Sequence, residues 1–332
     1  MKRRQSLQQL CCAWISFTAM AATPILGNAQ TRTDTFPERP IKLIVPFPPG
    51  GTTDILARTL VEGMREALGQ PLVVENKQGA GGLIGTEFVK AAAPDGYTLL
   101  LTSLHNHVML PLIQPTQFQP ERDLSSIGLA VQANTTVLVS NATPAHSLKE
   151  FVELARKQPD RMNYASSGNG SFGHFFTEVF KAQADAPITH VPYKGAAPSV
   201  MALVSNEVQF LVIAYSAVQS NAEAGQVRVL AQDGERRSPL LPNVPTLAEA
   251  GYGNFQPTFW LGLSAPKNTP QAVIAKLNAA MNTTLRSAAF EERARKSAWT
   301  STPGTPDMMD RRITSDLKQY GPTVRKLNIK AD

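Results

Sequence analysis

From Pro40 onward the chain alternates short β-branched or aliphatic runs with segments of helical period, and this alternation restricts the fold to the α/β class. Ile41–Val45 reads as the first strand, and Leu60, Val61, Met64 and Leu68 mark one face of the helix after it. Further strands are expected at Pro71–Glu75, Tyr97–Thr102, Thr136–Ser140, Met162–Ala165, Ile188–Val191, Val208–Val212 and Val227–Ala231, mostly in parallel pairing. After one more strand near Phe259–Ser264 the rest of the chain reads as almost entirely helical. Ser147 with Glu150 forms a capping box, and Thr269-Pro270 and Thr305-Pro306 each place a cap before a proline at the first helical position.

No repeat or low-complexity linker divides the chain. Two stretches, Ile127–Ser140 and Asn254–Ser264, read instead as crossings between two lobes. The expectation is a first lobe of residues 30–131 and 254–332 and a second of residues 132–253, with a cleft between them. In α/β proteins such a cleft takes a ligand against loops at the carboxyl ends of strands.

The amino terminus decides how charge and cysteine content should be read. Lys2, Arg3 and Arg4 precede an apolar stretch, Leu10–Met20, interrupted by Ser16 and Thr18, and Gly27-Asn28-Ala29 supplies small residues for a peptidase. Residues 1–29 are therefore expected to be a signal peptide cut after Ala29, which puts the product in the periplasm. Cys11 and Cys12 sit at the start of the apolar stretch rather than its end, so lipidation is not expected. The whole chain carries 32 basic and 26 acidic residues, a formal +6. Three of those positive charges and both cysteines fall in the export segment. The mature chain is modestly basic and thiol-free, with no apolar run near the ~20 residues of a membrane span. A soluble monomer is expected.

Candidate chemistry concentrates at strand-to-helix junctions rich in glycine. The first is Pro46-Phe47-Pro48-Pro49-Gly50-Gly51-Thr52-Thr53-Asp54. Glycine permits a sharp turn here, and the unpaired N–H groups opening the helix can hold an anion. The same residues also suit a plain strand-to-helix turn, with Asp54 a structural helix-start residue. The second cluster, Gly79-Ala80-Gly81-Gly82-Leu83-Ile84-Gly85, departs from the dinucleotide fingerprint in spacing. It also lacks the acidic residue about twenty positions on. It reads as a close-packed turn, and no cofactor is expected.

The third, Tyr164 through His174, carries Ser166, Ser167, Gly170 and Ser171 and offers hydroxyls and exposed N–H groups for a second carboxylate. It departs from a nucleophile elbow, because Asn169 stands where the first glycine of GxSxG around Ser171 would be. His174, three residues on, is poorly placed as a base for Ser171. The five histidines, His105, His107, His146, His174 and His190, form no metal motif and read as surface or loop residues, although His105 comes after a strand and is a candidate cleft residue. Arg293, Arg295 and Lys296 stand beside Glu291 and Glu292 as a solvated helix face, so nucleic-acid binding is not expected.

Taken in order, Ile41–Asp54 (IKLIVPFPPGGTTD), Glu75–Gly85 (ENKQGAGGLIG), Ala91–Leu99 (AAAPDGYTL) and Val191–Pro198 (VPYKGAAP), with Trp260, Gly262, Ala265-Pro266 and Thr269-Pro270, closely resemble the Bug family. These are the extracytoplasmic solute receptors of tripartite tricarboxylate transporters. The resemblance runs from about Pro37 to the carboxy terminus. It implies a type II periplasmic-binding-protein fold whose two α/β lobes close on a small organic carboxylate and present it to membrane subunits of the transporter.

By motif it nominates Phe47, Pro49, Gly50, Gly51, Thr52 and Thr53 in the first lobe, and Ser166, Ser167, Gly170 and Ser171 in the second. Ser103, His105 and Lys194 are nominated as neighbours, with Lys194 equally readable as a solvent-facing turn residue. Many relatives carry an acidic or amide residue after the strand matching Val208–Val212, where this chain has apolar residues before Tyr215. That departure disfavours an amino-acid ligand. It points to a dicarboxylate or aromatic carboxylate, with Tyr215, Phe172 or His174 as apolar or stacking surface. Two other functions stay open: a receptor reporting its ligand to a membrane sensor kinase, and a periplasmic hydrolase using Ser171.

Overall fold

The structure, a computed structural model, describes residues 35–113, 116–253, 255 and 257–327. The export segment expected at residues 1–29 lies outside them. No helix among the described residues is long and apolar enough to cross a membrane.

In chain order the first elements are β1 (Ile41–Val45), α1 (Thr52–Leu68), β2 (Leu72–Asn76), α2 (Leu83–Lys90), β3 (Thr98–Ser103), a π turn (His105–Met109), α3 (Leu110–Ile113), α4 (Pro120–Asp123) and β4 (Leu124–Ala133). Next come β5 (Thr135–Ser140), α5 (Leu148–Lys157), β6 (Asn163–Ser166), α6 (Phe172–Ala184), β7 (Thr189–Pro192), α7 (Ala196–Val204), β8 (Phe210–Ala214), α8 (Gln219–Glu223) and β9 (Val227–Gln232). The chain closes with β10 (Phe259–Pro266), α9 (Gln271–Leu285), α10 (Ala288–Lys296), β11 (Trp299–Ser301) and α11 (Pro306–Leu327).

Two sheets result, one ordered β11-β4-β10-β3-β1-β2 and the other β7-β6-β8-β5-β9. Only Asn134 separates β4 from β5, so the chain passes from the first sheet to the second at a single residue. It re-enters the first sheet with β10. All nine strands expected from the pattern are present, with ends within two residues of the reading. β4 is legible in the sequence only as a crossing stretch, and β11 is not legible at all.

The expectation of mostly parallel pairing is corrected. β1 pairs with β2 and β3, and β6 with β7 and β8, in parallel. The pairs β3·β10, β4·β10, β4·β11, β5·β8 and β5·β9 are antiparallel. Every antiparallel pair involves β4, β5 or β10. The physical reason is connectivity: parallel pairs come from βαβ units, whereas the strands that leave for or arrive from the other sheet, β4, β5 and β10, run against their neighbours.

Local signals explain most helix limits. Gly69 at φ +68° ends α1 by donating its N–H to Arg65 O. Ser147 Oγ accepts the Glu150 N–H at 3.2 Å, while Glu150 reaches back to the His146 N–H at 2.8 Å, one residue before the usual capping-box donor. Pro306 is the first residue of α11, as expected. α9 corrects the reading at Thr269: Pro270 is itself the cap residue, and Thr269 Oγ1 donates to Pro266 O instead.

Leu43, Val45, Leu56, Leu60, Leu99 and Leu101 pack with Leu277 and Met281 of α9 in one core. A second core joins Phe151, Phe175, Phe176 and Phe210 to Trp260 of β10 and to Met309, Ile313 and Tyr320 of α11. The Tyr320 ring stands edge-on to Phe175 and Phe176 at 5.7 and 5.5 Å. The carboxy-terminal helix therefore packs on the second sheet's own α6.

Candidate functional site

The loop after β1 turns at Gly50, whose φ of +85° suits glycine, and delivers the chain to α1 at Gly51. No side chain caps α1, so the amides of its first turn have no intrahelical acceptor and face outward with the positive end of the helix dipole. Asp54 organises this loop. Its Oδ2 accepts from Gly50 N at 3.1 Å and Arg58 Nε at 3.0 Å, and its Oδ1 from Asn76 Nδ2 at 3.0 Å and Arg58 Nη2 at 3.1 Å. Burial opposes ionisation of Asp54, but these donors outweigh it and hold the carboxyl below its ordinary value. Asn76 Nδ2 also donates to Phe47 O at 3.1 Å, fixing the loop to the end of β2.

Beside this loop stands the end of β3. Ser103 Oγ donates to Asn106 Oδ1 at 3.0 Å, and Asn106 Nδ2 to Thr86 Oγ1 at 2.9 Å. His105 meets Phe47 edge-on at 5.7 Å. Its Nε2 lies 2.6 Å from Gly81 O, so Nε2 carries the proton and donates, leaving Nδ1 buried with no partner. Burial drives its pKa down to about 4 against a raising effect from Gly81, so the ring is neutral. His107 is likewise buried, pushed down to about 3 by desolvation. Both correct the reading of surface or loop histidines. The Gly79–Gly82 segment is a turn in which all four residues have positive φ, against which Phe47 and Asn106 pack.

On the second sheet, Ser171 caps α6, its Oγ accepting from His174 N at 3.4 Å. Gly170 N donates to His174 Nδ1 at 2.9 Å. The rings of His174 and His190 stack at 4.1 Å and 4°, and Tyr164 continues the stack at 4.8 Å. His190 Nε2 lies 2.7 Å from Ser166 Oγ, a buried hydroxyl that also takes the Gly168 N–H at 3.2 Å. Burial, then the charge of His174, lowers His190 to about 4. The serine paired with a histidine ring is thus Ser166, while Ser171 caps the start of α6.

Besides the packing of α11 on α6, three contacts join the lobes beside the nominated loops. Thr52 Oγ1 and Ser216 Oγ are 2.9 Å apart. The turn at Lys194-Gly195-Ala196 lies against Pro48 and Gly51, a Cβ at Gly195 falling 3.5 Å from Pro48 and one at Gly51 4.0 Å from Ala196. Phe172 of α6 packs on Phe259 of β10 at 4.7 Å. The same turn is tied to the other loop, since Tyr193 N donates to Ser166 O at 2.9 Å.

So the two nominated loops, Phe47–Thr53 and Ser166–Ser171, both contact the one turn at residues 193–196. Pro49, Gly50, Ser167 and Lys194 are exposed, while Thr52, Thr53, Ser103 and Ser171 are buried. Tyr215 is packed with Leu138, Val200 and Leu211 in the core beneath α7, and it is the next residue, Ser216, that reaches the first lobe. Sequence reasoning missed Asn76, Asn106, His190 and Ser216, polar residues whose partners lie on other elements. Among the described residues no group of three or more His, Cys, Asp or Glu could hold a metal ion.

Two α/β lobes joined by crossing strands, with an uncapped helix start and a hydroxyl-rich loop facing the same turn, define a two-lobed solute-binding protein. Residues 56–329 match the family described as the tripartite tricarboxylate transporter family receptor, and the chain belongs to it. It is 35% identical over 304 residues to protein BugT of Bordetella pertussis, covering 91% of this chain and 93% of that protein. It is similar to the structure of R. palustris Rpa4515 with adipate, at TM-score 0.85 and 30% identity over 89% of this chain and 99% of that one. It is also similar to MatC from Rhodopseudomonas palustris with bound malate, at TM-score 0.83 and 30% identity over 87% and 100% of the two chains.

Proposed function

We propose that this chain is a periplasmic receptor that captures a small aliphatic dicarboxylate by lobe closure and presents it to the membrane subunits of a tripartite transporter. The observation that carries the reading is the pairing of the uncapped start of α1 with the Ser166–Ser171 loop around a single turn. Each end can offer N–H and hydroxyl donors to one carboxylate. Hydrogen bonds to a charged acceptor contribute about 1.5–3 kcal/mol each, enough for binding without a cationic side chain. The buried ring of His105 beside the first loop is neutral. Two relatives hold linear dicarboxylates, adipate in one and malate in the other, which supports that class over an aromatic acid. The contacts between lobes favour a closed state that a ligand touching both loops would further stabilise. Turnover forms no part of the reading, because Ser171 serves as a helix cap.

A thermal-shift series on ligand-free protein tests this with malate, succinate, adipate, citrate and benzoate. Binding to the folded state alone adds about 2.7 kcal/mol at a hundredfold excess over Kd, so a true ligand raises the midpoint by several degrees. An aliphatic dicarboxylate should give the largest rise, and Ser171→Ala should reduce it without creating or abolishing esterase activity. Absence of any shift with all five acids would sink the receptor reading.

A further inference from the structure

A groove of about 540 Å³ lies away from the dicarboxylate cleft, where the chain crosses from the first sheet to the second. Asn134, Asp233, Trp299, Arg236, Arg295 and Glu291 are among the residues that line it. Three elements meet here. Asn134 N donates to Ala298 O, beside Trp299, and Asn134 Nδ2 donates to Asp233 Oδ1 at 2.8 Å. Thr135 N completes that oxygen's set at 2.9 Å.

Three of the residues lining the groove hold buried polar atoms without partners. Asp233 is 6% exposed, and its second oxygen, Oδ2, makes no hydrogen bond, the buried Thr135 hydroxyl beside the carboxylate being its one neutral donor at hand and itself unpaired. Asn134 Oδ1 has none either. Trp299 is 5% exposed, and its indole N–H has no acceptor. An orphaned buried carboxylate oxygen is among the most unfavourable groups a fold can contain, so the pattern asks for a complement. Burial pushes Asp233 up to about 7, as expected of a carboxylate lacking a counter-charge. Around it stand Tyr320 from α11, raised by burial and further by Asp316 and Asp233, then Glu235, Arg236 and Arg237 from its own loop, and Glu291 and Arg295 from α10. Arg237 is engaged with Glu249 at 2.8 Å, leaving Arg236 and Arg295 as exposed cations at the rim.

We infer that this crossing groove is a second ligand site, for a small zwitterion carrying an ammonium and a carboxylate, as in an α-amino acid. The ammonium meets Asp233 Oδ2 and Asn134 Oδ1, which supply acceptors and the missing charge. The carboxylate meets the Trp299 indole N–H, with Arg236 and Arg295 on the rim. Neither a simple anion nor a simple amine answers both halves. Because Asn134 is the only residue between β4 and β5, occupancy stiffens the passage between the sheets.

Glycine is the probe, with acetate and ethylamine as half-molecule controls. In residues 30–332 the tryptophans are Trp260 and Trp299, and Trp260 Nε1 already donates to Asp316 at 2.7 Å. An amide and indole NMR titration with glycine should move the Trp299 indole signal, assigned by Trp299→Phe, and leave that of Trp260 in place. Asp233→Asn should weaken the response about tenfold or more, and the surface change Arg295→Ala should weaken it a few-fold. Both half-molecules should act far more weakly than glycine. A Trp299 signal unmoved by glycine, a response equal with acetate, or one untouched by both substitutions overturns the proposal. Ligand confined to the dicarboxylate cleft would give the first of these results.

Discussion

Asp54 bears on the candidate site through the loop it holds. Its two oxygens accept four hydrogen bonds from Gly50, Asn76 and Arg58 while the side chain is almost fully buried. Arg58 itself is largely exposed, so its ion pair is screened and the neutral donors matter more than the charge. Asp54→Ala should therefore destabilise the protein by about 2–3 kcal/mol in urea unfolding, by orphaning Gly50 N and Asn76 Nδ2. It should also weaken dicarboxylate binding, because Gly50 and the first turn of α1 lose their fixed orientation. Asp54→Asn, which keeps an acceptor for Gly50 N, should lose less than half as much. An alanine variant with unchanged stability would show that the loop is held by its prolines instead. Thr52→Val tests the contact between lobes: removing the buried hydroxyl facing Ser216 should lower dicarboxylate affinity a few-fold, read by calorimetry, with a stability loss of about 1 kcal/mol because Ser216 loses its partner.

Among the elements, α6 carries the clearest constraint on the second half of the cleft. Gly173, in its first turn, lies so close to β8 that a Cβ there would stand 2.8 Å from Val212 O. Because that atom is backbone, the conflict has to be relieved by moving the helix start. Gly173→Ala should displace Ser171 and the Ser166 loop, lowering both stability and dicarboxylate affinity despite alanine's better helix propensity. A variant more stable than the parent and binding normally would refute that reasoning.

The same scale shows what the sequence could convey. Strands within βαβ units were legible because β-branched runs bounded by turns repeat with helices between them. β4 was not, since Ser125, Ser126 and Gly128 interrupt its apolar run, and β11 has only three residues. Pairing direction was illegible for the crossing strands because it depends on which sheet a strand enters, a fact of tertiary connection. The glycine junctions were readable as turns, whereas His190, Ser216 and Asn76 gain their contacts only when distant elements meet.

Across the whole molecule, titratable groups of two kinds, buried His105, His107 and Asp233 and half-buried His190, set stability against pH with opposite signs. His105, His107 and His190 are held near 4, 3 and 4 by desolvation, below the ordinary value of 6.5. Between those values the unfolded chain binds protons that the native state refuses, so stability is lost as pH falls below 6.5. His190 faces His174 and Lys181, which lower it, and Glu178, which raises it. Asp233 acts the other way. Its native value of about 7 exceeds the ordinary 3.8, so the folded state keeps a proton the unfolded chain releases, and stability is lost as pH rises from about 4 to about 7. Near pH 5 three groups oppose one, leaving the unfolded chain about two protons richer, a slope on the order of 2 kcal/mol per pH unit. Urea unfolding should show markedly lower stability at pH 5 than at pH 7, with little change from pH 7 to 8. Asp233→Asn removes the opposing group. Its slope near pH 5 should be steeper than the parent's, and its stability relative to the parent should be greater at pH 8 than at pH 5. Equal stability of the parent at pH 5 and 7 would show that the histidines are not held neutral by the fold. An unchanged slope in Asp233→Asn would show that the crossing-strand carboxylate is ionised throughout.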